Sequence, residues 1–342
     1  MLFDNYLVNI LLFLILSCSQ ILFIYFYSKI AFKINLIDFP TDRKLHKGEI
    51  PLVGGISIYS SLFLFFIFFD TNYFHKIIFI SSLIIFVVSL YDDIFDIGIT
   101  ERIFFQTIAC LIVVGFGIKI YDLGDYLNLT ISLGGFGIVL SCITIIAYTN
   151  AINFSDGLDG LAAGYILNCL FSIILFSIFY QNYNDLKFLI FLSLLICIFL
   201  FSNLGVFLPK TFLGDNGSAS LGFLVSCYLI YFTMPDNRHF HPVLALWAAS
   251  FPTFDFLTVF IRRLLKKINP FKPDRRHLHY LLIKSKLENK YIPLILVSSS
   301  MISSVLGLVT LNYFGSINSL VFFFFCFIFY FLISVYVSRE NN

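Results

Sequence analysis

The sequence predicts an all-α, polytopic membrane protein of about eleven transmembrane helices, with the N-terminus outside and the C-terminus in the cytoplasm. Three observations carry this. Hydrophobic residues make up 59% of the 342 residues and charged ones only 12%, against roughly 25% charged in soluble domains. Apolar runs approaching the ~20 residues of a bilayer crossing recur along the whole chain. Basic residues crowd into alternate connections between those runs.

Taken in order, the first run, 7–27, is too long for a signal-peptide core. It has Asp4 and no basic residue ahead of it, and Lys29 and Lys33 follow it, so it reads as a retained first helix. Further runs fall at 53–69, 77–90, 103–120, 137–153, 158–179, 188–208, 219–234, 243–261, 294–311 and 317–337. The third and eighth are short. Segment 128–136 is ambiguous, an outer hairpin being one reading. An odd number of crossings puts the termini on opposite sides. Of the 22 Lys and Arg residues, only Lys76, Lys119, Lys187 and Arg238 fall on the outer side of this topology. The positive-inside rule makes the other side cytoplasmic. Residues 1–342 read as a single membrane domain without a soluble module or internal repeat. All seven cysteines lie in apolar runs without a C-x-x-C pair and read as small buried hydrophobes.

The same topology collects the polar clusters at inner helix ends. Tyr91-Asp92-Asp93-Ile94-Phe95-Asp96 closes the third run. Adjacent carboxylates at a membrane boundary call for a cation or a basic group, and Asp92 and Asp96 would share a face if the helix continued. The plain alternative is a solvated helix end beside Arg102. The stretch 150–160 sets Asn150, Asn153, Asp156, Asp159 and two glycines between helices, more than a helix cap by Asp156 requires. Asp215 precedes a helix start rich in small residues. It could be a simple cap, or could hold Mg²⁺ together with substrate phosphate oxygens.

The longest inner connection is strongly basic. Arg262, Arg263, Lys266 and Lys267 suit topology or anionic lipid. The run Asp274-Arg275-Arg276-His277-Leu278-His279-Tyr280 suits phosphate, with forked Arg groups and His adding hydrogen bonds or a proton. The first inner loop carries Arg43, Lys44 and Lys47 and enters a helix at Gly54-Gly55, a candidate phosphate site. Asp255 lies inside the ninth run. An intramembrane acid is a functional candidate unless Arg262 or a neighbouring helix pairs with it. Together the clusters describe one cytoplasmic pocket, with acids for a metal and cations for phosphates. Such a pocket fits a diphosphate donor and a lipid-embedded acceptor. A transporter, the reading from another class, would place acids near the bilayer midplane and show inverted repeats.

Six collinear motifs then carry a resemblance: RKLHKGEIPLVGGIS (43–57), YDDIFD (91–96), NAINFSDGLDGLAAG (150–164), FLGDNGSASLGF (212–223), HPVLALW (241–247) and RRLLKKINPFKPDRRHLHYLL (262–282). They resemble the polyprenyl-phosphate N-acetylhexosamine-1-phosphate transferases, the glycosyltransferase 4 or MraY–WecA superfamily. The WecA-type branch, which starts O-antigen and related polysaccharides, matches best. The MraY-type branch has consecutive histidines followed by an acid where this chain reads His277-Leu278-His279-Tyr280. WecA-like enzymes tend to have a further His at Tyr280 and an apolar residue at Ser155.

The resemblance implies transfer of an N-acetylhexosamine-1-phosphate, foremost GlcNAc-1-phosphate, from a UDP-sugar to undecaprenyl phosphate in a bacterial inner membrane, with release of UMP. A 6-deoxy UDP-HexNAc or a phospho-MurNAc-pentapeptide donor is the alternative. It implies that Asp215 and Asn153 ligate Mg²⁺, with Mn²⁺ as the other ion. Asp92 would orient or deprotonate the lipid phosphate, supported by Asp93. Phe212 and Asp159 would contact uracil in a pocket shaped by Asn150 and Asp156, with Lys47 on the nucleotide side. Arg275, Arg276, His277 and His279 would brace phosphates or sugar. Asp96 and Asp255 have no assigned part. A two-step path through a covalent Asp156 or Asp92 stays open beside a single displacement. Membrane lipid is an expected partner, a homo-oligomer is allowed, and no nucleic acid is expected.

Overall fold

A computed structural model of the chain describes residues 2–40, 48–267, 277–284 and 287–340. Lipid offers the backbone no hydrogen-bond partner, so apolar runs become helices. In order these are α1 (Leu2–Ala31), α2 (Gly54–Phe68), α3 (Tyr73–Phe95), α4 (Ile99–Gly115), α5 (Phe136–Phe154), α6 (Leu161–Phe179), α7 (Leu186–Asn203), α8 (Gly214–Tyr231), α9 (Pro242–Ala248), α10 (Ser250–Leu265), α11 (Leu278–Ile283) and α12 (Tyr291–Glu340). Two antiparallel strand pairs accompany them among the described residues: β1 (Ile37–Asp38) with β2 (Ile50–Pro51), and β3 (Asp122–Tyr126) with β4 (Leu129–Ser132). The second pair is the hairpin that segment 128–136 suggested.

Each of the eleven apolar runs falls on a helix or helix pair, but they are not alike. Six helices (α1, α3, α5, α6, α7 and α12) are long and apolar enough to cross a membrane, and the α9–α10 pair makes a seventh. The chain is therefore a multi-pass membrane protein. The run at 243–261 is not one straight helix: α9 and α10 meet at a 74° bend. In a continuous helix, the ring of Pro252 would clash with the carbonyl of Ala248. α12 has 50 residues and breaks at Gly315, where φ is +81°; its two arms are the last two runs. α2 and α4 have only 15 and 17 residues.

α8 starts with a polar turn and is enclosed by protein. Every residue of it except Asp215 is buried, and it packs against α3, α5, α2 and α6. Small residues make the close approach workable. A Cβ added at Gly222 would lie 3.0–3.3 Å from Ile152 and Thr149 of α5, and one at Gly217 would lie 2.9 Å from the Gly55 Cα of α2.

The two ends of the bundle are built differently. At one end, Asp185 binds His75, Tyr231 and Asn72, and Arg238 binds both oxygens of Asp122 at 2.7 Å. The hairpin sits at this same end, where the Asp125 amide meets the His241 ring at 3.0 Å. The opposite end holds the acidic motifs.

Candidate active site

α8 lacks a capping side chain of its own, and α3 supplies one. The Asp93 carboxylate accepts the backbone amides of Asp215 at 2.9 Å and Asn216 at 3.0 Å, and the Asn216 side-chain amide at 2.6 Å. These are orphan donors of a helix N-terminus, where a carboxylate is favoured. Asp215 is thereby released from capping. Its Oδ1 accepts Asn153 Nδ2 at 2.9 Å, and the same amide reaches Ser218 Oγ at 2.9 Å.

Asp92 is buried and points to the same place. Arg102, in the first turn of α4, sets a single nitrogen 2.9 Å from Asp92 Oδ2 and 3.3 Å from Asp215 Oδ2. Asp92 Oδ1 accepts the Ile97 amide at 2.8 Å. In the sequence Arg102 stands out only as a neighbour of the Asp pair. Its place ten residues beyond Asp92, at the next helix start, was the available signal.

Asp156 does not cap α6. Gly160, with φ +81°, occupies the cap position. Burial, reinforced by the carboxylates of Asp215, Asp93, Asp159 and Asp38, pushes Asp156 well above the ordinary carboxylate range. Burial is the larger cause, and the gathered carboxylates favour a nearby cation. A cation fits this donor set: Asp92 and Asp215 already share one positive group, and Asn153 stands beside Asp215. Among the described residues no three acid, His or Cys side chains form a closed metal cage. Mg²⁺ suits the open arrangement, since it binds through one or two carboxylates plus substrate phosphates and water.

Asp159 and Phe212 are linked by a residue the sequence reading passed over. Lys210 pairs with Asp159 and lies 5.7 Å from the centre of the Phe212 ring. Asn203 holds both sides of this group, accepting the Gly160 amide at 2.6 Å and donating to the Thr211 carbonyl at 3.1 Å. The amide of Asn150 binds Gln106 at 2.8 Å and the Ile146 carbonyl at 2.7 Å. Those bonds tie Asn150 to the Arg102 helix rather than to the Asp159–Lys210 pair.

Two expectations are corrected here. Helix α3 ends at Phe95, and Asp96 caps it in the left-handed conformation, φ +53°, exposed; it does not share the Asp92 face. The Gly54-Gly55 amides are no phosphate cradle. They donate to the carbonyls of Phe212 at 2.9 Å and Leu213 at 3.0 Å, while Phe212 N donates to the Pro51 carbonyl at 2.9 Å. The PLVGG segment thus braces the loop that carries Phe212 and Asp215.

His277 and His279 reach the site end on α11. His277 Nδ1 lies 2.7 Å from Asp255 Oδ2, and its ring is 5.4 Å from that of Phe154. His279 Nε2 is buried without a hydrogen-bond partner among the described residues, and a Cβ added at Gly157 would come within 2.9 Å of it. Burial lowers the His279 pKa to about 4, with His277 adding and Asp255 opposing, so its ring is neutral near pH 7. Lys47, Arg275 and Arg276 lie outside the described residues.

Residues 75–233 match the model of glycosyl transferase family 4. The chain is 33% identical over 294 residues to the undecaprenyl-phosphate alpha-N-acetylglucosaminyl 1-phosphate transferase of Escherichia coli (strain K12), covering 83% of this chain and 79% of that protein. It is 32% identical over 297 residues to the Yersinia pestis protein of the same name, covering 84% and 80%. Against the Pasteurella multocida (strain Pm70) protein of that name the identity is 30% over 291 residues, covering 83% and 81%.

Proposed function

Since the chain belongs to glycosyl transferase family 4, we propose that it transfers GlcNAc-1-phosphate from UDP-GlcNAc to undecaprenyl phosphate, releasing UMP. One observation carries the assignment of the reacting centre: Asp92 and Asp215, from separate helices, meet one Arg102 nitrogen at 2.9 and 3.3 Å. That pair can exchange a protein cation for the charges of a diphosphate and its metal.

The reaction is an in-line displacement. An oxygen of the lipid phosphate forms a bond to the β-phosphorus of the donor, and the bond from that phosphorus to the bridging oxygen breaks, leaving UMP. A phosphate monoester is largely dianionic near neutral pH, its second pKa being about 6, so Asp92 has only a residual proton to accept and a nucleophile to orient. Asp215 and Asn153 would hold Mg²⁺, or Mn²⁺, which offsets the negative charge of the diphosphate. Asp93 keeps Asp215 in place through the α8 amides. Arg102 meets the donor phosphates when it leaves the carboxylates. The flat face of Phe212 takes the uracil, and Asp159 with Lys210 offers an acceptor and a donor to its edge. His277 and His279, with Arg275 and Arg276, brace the phosphates or sugar.

The acidic end of the bundle also holds Lys29, Lys33, Arg102, Lys210, Arg262 and Arg263, whereas Lys76, Lys119, Lys187 and Arg238 lie at the other. By the positive-inside rule this asymmetry supports a cytoplasmic acidic end, the side where nucleotide sugars are made, in a bacterial inner membrane. A product of this kind would start a lipid-linked surface polysaccharide. The test is purified protein with undecaprenyl phosphate, Mg²⁺ and a panel of UDP-GlcNAc, UDP-GalNAc, a 6-deoxy UDP-HexNAc and UDP-MurNAc-pentapeptide. Lipid-linked product and UMP are expected with UDP-GlcNAc. A lack of product from every donor overturns the assignment, and product from another donor alone replaces the sugar.

A further inference from the structure

We propose that Asp255 is a positioning residue of this transferase: it fixes the ring and tautomer of His277, so that Nε2 of His277 is the nitrogen presented to the donor phosphates. The inference rests on the transferase reading above and extends it into α10, a helix with no assigned part in the chemistry.

The geometry is that of a buried carboxylate with all its bonds arranged around one histidine. Asp255 is 6% exposed. Its Oδ2 meets His277 Nδ1 at 2.7 Å. Its Oδ1 accepts the Leu278 amide at 2.8 Å, which anchors the first turn of α11, and the Tyr330 hydroxyl of α12 at 3.2 Å. Arg262, the partner suggested by sequence, turns instead to Ser334 and Ser338 of α12. Among the described residues, Tyr165 of α6 and His279 of α11 are further titratable groups close to Asp255.

A carboxylate acts as acceptor only, so the hydrogen on Nδ1 belongs to the imidazole. This is the arrangement that sets which histidine nitrogen faces a substrate. A proton shared between Nε2 and a phosphate oxygen would leave the ring charged, and Asp255 would offset that charge inside the protein. Among the described residues His279 Nε2 has no hydrogen-bond partner. Two neighbouring histidines thus meet the site with different partners.

Asp255→Asn preserves shape but removes the charge and lets the amide donate to Nδ1. Its KM for UDP-GlcNAc should rise about ten-fold at pH 8, in line with loss of a charge-assisted hydrogen bond. In a His277→Ala background the same substitution should change KM less than two-fold, since coupled residues are not additive. Full additivity with His277→Ala overturns the proposal. Nitrogen-15 spectra of histidine-labelled wild-type protein give a reading that no variant's folding can spoil. An Nδ1–H tautomer for His277 at pH 8 is expected, and a neutral ring protonated only on Nε2 also overturns it. Failure of the wild type on every UDP-sugar would instead defeat the functional assignment.

Discussion

Asp93 and Asn216, 123 positions apart in the chain, share two hydrogen bonds, with the Asn216 backbone amide at 3.0 Å and its side-chain amide at 2.6 Å from one carboxylate oxygen. Two neighbouring aspartates of one motif consequently take different partners: Asp93 builds the start of α8, and Asp92 binds Arg102 beside Asp215.

The division is measurable. Asp93→Asn replaces an acceptor of three N–H groups by an amide, and a hydrogen bond to a charged group contributes about 1.5–3 kcal/mol. Its thermal unfolding temperature in detergent should fall, and turnover with it. Asp92→Asn should abolish turnover with a much smaller change in unfolding temperature. Equal destabilisation by both would contradict the assignment.

Arg102 lies between the carboxylates of Asp92 and Asp215. Arg102→Ala leaves Asp92 and Asp215 without their shared cation, so Mn²⁺ should bind the substrate-free enzyme more tightly by calorimetric titration, while turnover drops at least ~10-fold as phosphate contacts are lost. Unchanged Mn²⁺ affinity would place the ion elsewhere.

Gly55 is a packing requirement. A Cβ there would lie 2.0 Å from Asn216 Oδ1 and 2.5 Å from Gly217 Cα. Gly55→Ala must therefore separate α2 from α8, at a cost of about 1–3 kcal/mol, and should lower both yield and activity. Gly115→Ala meets nothing within 4 Å and serves as the tolerated control. Parity of the two variants in folded yield would refute the close contact.

At the far end, hydrogen bonding first from His75, then from Tyr231 and Asn72, lowers the Asp185 pKa to about 2. The folded-state value lies below the unfolded one, about 3.9, so this stabilisation is complete above roughly pH 4 and is lost as pH falls towards 2. Asp185→Asn should cost on the order of 1–2 kcal/mol at pH 7, with the gap to wild type closing on acidification. Turnover per folded molecule should hold, because the residue is at the end away from the acids. A gap independent of pH between 4 and 2 would argue against the charged form as its source.

Hydropathy by itself determined the class and the helical segments, because lipid leaves an apolar stretch of backbone no alternative to internal hydrogen bonding. Motif order determined the family, and residue type marked Asp92, Asn153, Asp156 and Asp215 as belonging to one site. Tertiary structure decided which partner each of them takes. Nothing in the spacing of Asp93 indicates that it caps α8. The chain offers Arg262 as readily as His277 to Asp255, and the Gly54-Gly55 amides look free until Phe212 and Leu213 accept from them. Lys210 became part of the site only when the α7–α8 connection folded beside Asp159. Periodicity records which face of a helix avoids water or lipid. A hydrogen bond between helices depends on the rotation, depth and tilt at which two of them pack, and those are settled by the whole bundle at once.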